Sequence, residues 1–181
     1  MAARMNFELM LHQASAMLGA ADRVLFEEAG GDGTNFPIEA LIFTSLSAEI
    51  ALKAGVCKTR GISEPRDLMS LIRATGNGPS AHDLAAIFSL LSAHEQAALR
   101  EDVIATIPQT QGFLGTSDQG ELQEFPPVTF SPSMFQARLD SVRRCFEDWR
   151  YSYEPPLKIV NLTFLQCLAR SSIALFTPRP A

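Results

Sequence analysis

Phe36-Pro37-Ile38-Glu39-Ala40-Leu41-Ile42-Phe43-Thr44-Ser45-Leu46-Ser47-Ala48-Glu49-Ile50-Ala51-Leu52-Lys53-Ala54-Gly55-Val56 decides how the chain is read. Pro37 suits a first helical position, and a helix turns about 100° per residue. On that spacing Leu41, Ile42, Ser45, Leu52 and Val56 cluster within about 60° of Ile38. Glu49 falls about 20° from Ile38, inside the same stripe. Phe43, Leu46 and Ile50 make a second apolar patch on an adjoining face. A helix apolar on most sides is a central one, packed by several neighbours. A carboxylate facing that core needs a cation or donor, because an unpaired buried charge is very costly. The rest of the chain is therefore searched for the partner of Glu49.

The chain has 181 residues, enough for one domain with a real core, and the expected domain is the whole of 1–181. Hydrophobic content of 46% and charged content of 19% are those of a folded protein. A net charge of -5 argues against broad, sequence-blind nucleic-acid binding, although a local basic patch remains compatible with it. Cys57, Cys145 and Cys167 are far apart and form no CxxC pair, so no disulfide framework is expected and a reducing cytoplasm is the simplest location. Glu8 and His12 interrupt what would have to be the apolar run of a signal peptide. Leu157 to Phe176 approaches membrane-span length but contains Lys158, Asn161, Gln166 and Arg170, so it reads as a buried helix with no membrane partner.

Working outward from the central helix, Met5 to about Glu28 has helical spacing of apolar residues. Residues 29–34, Ala-Gly-Gly-Asp-Gly-Thr, end it. A Gly-rich loop before a helix can cradle phosphate, but no strand precedes this one and no Gly-Lys-Ser/Thr follows, so a plain hinge is favoured. A short helical piece is expected over Asp67 to Ala74. A third long helix runs from about Ser80 or Ala81 to Thr106, with Ser80 as its candidate N-cap. Residues 108–131 read as one long, mobile, irregular loop pinned by Phe113, Leu114, Phe125 and Phe130. Pro132 to about Tyr153 gives the cleanest amphipathic signal, with Phe135, Leu139, Val142, Phe146, Trp149 and Tyr153 alternating at four and three. Pro155-Pro156 stops it, a last helix covers about Leu157 to Leu175, and 177–181 is a tail. The expected fold is all-α: an up-and-down antiparallel bundle of about five helices.

The candidates for chemistry are few. Arg150 lies at the shoulder of the apolar stripe of its helix, and Arg143 is close by. Glu147 and Glu154 stand four residues beyond them, so two i,i+4 surface pairs are one reading. The sharper reading makes Arg150 the buried bidentate partner of Glu49. His82, at the first turn of the third helix, is either a packing residue or a ligand or general base. Arg143, Arg150 and Tyr151 are the candidate ligand-binding residues, since arginine beside aromatic side chains can stack a base. His12 and His94 stand alone. Three scattered histidines at no ligand spacing give no metal site, and no cofactor motif is present.

Three blocks resemble the HEPN-like domain family. Ser47-Ala48-Glu49-Ile50-Ala51-Leu52-Lys53-Ala54 is similar to the second-helix signature of that family. His82-Asp83-Leu84 resembles the His-Asp-Leu that opens the next long helix in many members. Phe146 to Glu154, with its Trp149-Arg150-Tyr151 core, looks like the late-helix block of one subgroup. The blocks occur in the family's order over about residues 6 to 176. The resemblance implies a helical bundle, commonly a symmetric homodimer, found in bacterial defence, toxin–antitoxin and RNA-processing systems. Many members are metal-independent ribonucleases with an Arg followed four to six residues later by His. No such pair exists here: no His follows Arg150, and neither Arg66 nor Arg73 has one in range. Glu49, His82 and Arg150 carry over as signature positions only. The expected function is a non-catalytic dimeric binding or regulatory module associated with RNA, a nucleotide or a cognate partner protein. The alternatives are a ribonuclease with a rearranged site built from His82, Arg150 and Glu49, and a structural or interaction protein docking through its 108–131 loop.

Overall fold

The computed structural model describes residues 5–28, 38–76, 80–108, 110–116, 122–150 and 161–178. The elements run α1 (Phe7–Glu28), α2 (Ile38–Arg60), α3 (Pro65–Thr75), α4 (Leu84–Ser89), α5 (Ala93–Thr106), β1 (Thr110–Thr116), β2 (Leu122–Thr129), a 3-10 turn (Pro132–Met134), α6 (Phe135–Val142), α7 (Cys145–Arg150) and α8 (Leu162–Phe176). The all-α helical bundle read from the sequence is what forms. Helix α2 lies at its centre, packed by α1, α4, α7 and α8. Fourteen of its residues are buried, including Leu41, Ala48, Glu49, Leu52, Lys53 and Val56. By length and composition α2 would also span a bilayer, but 78% of its most apolar window is covered by the fold.

Small residues set how closely α2 meets α8. A Cβ built on Gly55 would lie 2.4 Å from two atoms of the Phe176 ring, so only glycine fits beneath that ring. Phe176 is in turn buried, and its backbone carbonyl accepts a 3.2 Å hydrogen bond from Lys58 Nζ. On the other side, Ser47 Oγ donates to the Ala14 carbonyl of α1 at 2.7 Å, satisfying a buried hydroxyl across the helix pair.

Several boundaries differ from the sequence expectation. The third long helix is two helices, α4 and α5, meeting at a corner over Leu90–Ser92. Asp83, not Ser80, caps α4 by accepting from Ala86 N at 3.0 Å. Ser92 and Glu95 form a reciprocal capping box that starts α5 afresh. Arg60 Nε fixes the corner by donating to the Leu90 carbonyl at 2.8 Å. The fourth long helix is likewise α6 and α7, interrupted by a turn at Arg143 and Arg144. The last helix starts at Leu162, where Asn161 caps it by accepting from Phe164 N at 2.9 Å. Pro155-Pro156 lies outside the described residues.

The region expected as an irregular loop carries an antiparallel hairpin, β1 with β2, whose register runs from Thr110↔Thr129 to Thr116↔Leu122 with an irregularity between Gln111 and Phe113. Gly112 and Gly115 within β1, and Pro126-Pro127 within β2, disguised it. A two-stranded ribbon consists of edges, where residues without an N–H are tolerated. β1 lies against α8.

Candidate functional site

The buried carboxylate of Glu49 has two partners. Lys53, one turn along α2, places Nζ 2.6 Å from Oε1. His82, in the segment leading to α4, places Nδ1 2.9 Å from Oε1 and 3.0 Å from Oε2. The Glu49 and Lys53 side chains are only 5% and 10% exposed, whereas that of His82 is 32% exposed. The cluster therefore runs from a dry interior to a wet rim, with the imidazole at the rim. A carboxylate only accepts hydrogen bonds, so the nitrogen facing it is the protonated one. Nδ1–H donates inward, and Nε2 is the ring's second nitrogen.

Neighbouring residues hold His82 in place. Its backbone N–H donates to Ser80 Oγ at 3.0 Å, and that hydroxyl donates to Glu147 Oε1 at 2.7 Å. The Phe146 ring lies 5.3 Å from the imidazole, centroid to centroid, tilted by 49°. Asp83 is buried and pairs with the Arg143 guanidinium through both Nε and an Nη atom. Leu84 N donates to the Arg143 carbonyl at 2.7 Å, so the α4 start and the α6–α7 turn are laced in both directions. The side-chain hydrogen bond that Arg143 donates to Asp83, against a smaller effect of burial, raises the guanidinium above its ordinary value. Burial pushes the Glu147 carboxyl up, but hydrogen bonds from the Ser80 hydroxyl and the Arg144 guanidinium, with the charge of that guanidinium, outweigh it and hold the group below the usual carboxylate range.

The expected partner of Glu49, the Arg150 side chain, is not among the described residues, and two other groups meet the carboxylate. These are Lys53 and His82; all of Tyr151 likewise lies outside the described residues. The backbone of α7, which ends at Arg150, does pack on α2. Glu147 takes Arg144 at 2.9 Å, three residues back, in place of Arg143. The turn at 143–144 removes the continuous helix that an i,i+4 pair requires. Arg143 is drawn instead to Asp83, 60 positions earlier. Among the described residues the cations in and around the cluster are thus matched: Lys53 with Glu49, Arg143 with Asp83, Arg144 with Glu147.

Lys53 is a site residue that apolar periodicity alone does not mark out. The available signal was the Glu-x-x-x-Lys spacing inside an apolar helix, a pattern more familiar on solvated faces. His94 is exposed on α5. His12 is exposed on α1 and lines a groove of about 460 Å³ with Glu8, Leu11, Ser15 and Ile173, formed by α1 and α8, neither of which contributes to the His82 cluster. Among the described residues no group of three or more His, Cys, Asp or Glu could hold a metal ion. No family model, curated protein or solved structure matches the chain.

Proposed function

We propose that the chain is a HEPN-like module working in the cytoplasm as a homodimeric binding or regulatory subunit, and that it engages RNA at the His82 rim. The observation that carries this reading is the orientation of His82. With Nδ1 committed to Glu49, Nε2 is left as an acceptor on a partly exposed ring. A ribose 2′-hydroxyl is a donor that such a nitrogen can accept from, and it is the group that separates RNA from DNA. Binding is favoured over cleavage because Lys53, Arg143 and Arg144 are each occupied by a carboxylate, which leaves them poorly placed to stabilise charge developing on a phosphate.

A second reading, a metal-independent ribonuclease with His82 as general base, draws support from the Glu49–His82 pair. A carboxylate behind a histidine fixes its tautomer and orientation. One experiment addresses both. Fluorescent single-stranded RNA and DNA of one sequence are titrated with wild-type protein and with His82→Asn, which keeps a donor near the Nδ1 position. The proposal expects RNA to bind at least several-fold more tightly than DNA, the preference to vanish in His82→Asn, and the RNA to remain intact. Equal binding of both strands, or none, removes the binding reading; His82-dependent cleavage in chelator selects the ribonuclease.

A further inference from the structure

We infer that Lys53 is a positioning residue that decides the charge of His82, keeping the imidazole neutral so that Nε2 presents a lone pair at neutral pH. The inference deepens the reading of the His82 rim given above and rests on it for its use, though not for its geometry.

A carboxylate as buried as Glu49 must have its charge answered nearby. Two groups can do so. The Lys53 ammonium is already at 2.6 Å, is itself buried, and is held one helical turn away on the same rigid element. With that pair closed, Glu49 needs only a neutral hydrogen bond from His82, and Nδ1–H supplies it to both oxygens. Adding a proton to the ring would place two cations on one anion. The other charges facing the ring do not demand that proton. In its own segment Asp83 is matched by Arg143, and on α7 Glu147 is matched by Arg144 and hydrogen-bonded by Ser80. Phe146 contributes an aromatic face. Lys53 also lies near Cys57: burial pushes that thiol up, and the ammonium pulls it part of the way back.

Remove the lysine and the arithmetic changes. Glu49 then has His82 as its one cationic candidate among the pair described, so the ring takes the proton and Nε2 turns from acceptor to donor.

Diethyl pyrocarbonate tests this, because the neutral imidazole lone pair attacks its carbonyl carbon, the ethyl carbonate half leaves with the C–O bonding electrons, and the acylated ring releases its Nδ1 proton to solvent. Peptide mapping reads His82 separately from His12 and His94, both exposed and serving as internal standards. At pH 7, Lys53→Met is expected to slow carbethoxylation of His82 about tenfold relative to His94. Lys53→Arg is expected to restore it, and Glu49→Gln combined with Lys53→Met to restore it as well, since no buried charge then asks for a proton. An unchanged His82 rate in Lys53→Met overturns the inference. Should that variant not fold, the ¹⁵N shifts of wild-type His82 at pH 7 decide: a neutral ring protonated on Nδ1 supports it, and an imidazolium overturns it. A neutral ring in a protein that ignores RNA would leave this inference standing and remove the functional reading instead.

Discussion

His82 reaches back 33 positions to put Nδ1 between the two carboxylate oxygens of Glu49, at 2.9 Å and 3.0 Å. The contact joins the central helix to the segment that starts α4, and it makes a buried charge part of the architecture.

Breaking that arrangement from one side should be severe. Glu49→Ala leaves the buried Lys53 ammonium without its partner, and a loss of about 3–5 kcal/mol is expected in urea unfolding. Glu49→Met with Lys53→Met removes both charges and should recover most of the loss, because apolar replacement of a buried pair is often neutral or better. A single mutant as stable as wild type would show that the pair is not dry.

At the α2–α8 contact the expected cost is steric. Gly55→Ala drives a methyl group into the Phe176 ring and should destabilise by about 1–3 kcal/mol, read as a lower midpoint at unchanged slope. Pairing it with Phe176→Leu should give back part of the loss, which a purely helix-propensity effect of alanine would not need.

Asp83 serves two partners, the Ala86 N–H and the Arg143 guanidinium. Asp83→Ala is expected to cost about 1–3 kcal/mol through the lost cap and pair. Asp83→Asn retains an acceptor for the cap and should cost less. Equal losses in the two variants would assign the whole effect to charge.

Acid should loosen the fold through two carboxylates. Burial pushes Glu95 up, but hydrogen bonds from Thr59 and Ser92 and the charge of His94 outweigh it and hold the group low; Glu147 is held low as described. A folded-state value below the unfolded one means stability that is present above the unfolded value and lost as pH falls through the folded one. Unfolding free energy should therefore drop as pH falls through and below the ordinary carboxylate range. The drop should be shallower in Glu95→Gln, and chemical denaturation at a series of pH values measures it.

The parts of the fold that were legible in the sequence are those set by periodicity. Residues 38–56 spelled a core helix with Glu49 inside it, and α2 is that helix. Breaks without glycine or proline were harder. Leu90–Ser92 lacks both, yet Ser92-Ala93-His94-Glu95 spells a capping box that marks a fresh start. At Arg143-Arg144 nothing local signals a turn; the pull comes from Asp83, 60 positions away in sequence. The hairpin was hidden because its strands contain glycine and proline, which a two-stranded ribbon, being all edges, tolerates. In the site, a buried acid was foreseeable from its angle on the helix. Its answer by a lysine one turn away and a histidine at a corner depended on how the elements met.

The two-way lacing of Leu84 to the Arg143 carbonyl and of Asp83 to the Arg143 side chain couples mechanics to chemistry. The residue beside His82 is tied to the elbow of a different helix pair, so the rim of the site and that elbow form one hydrogen-bonded block in this structure.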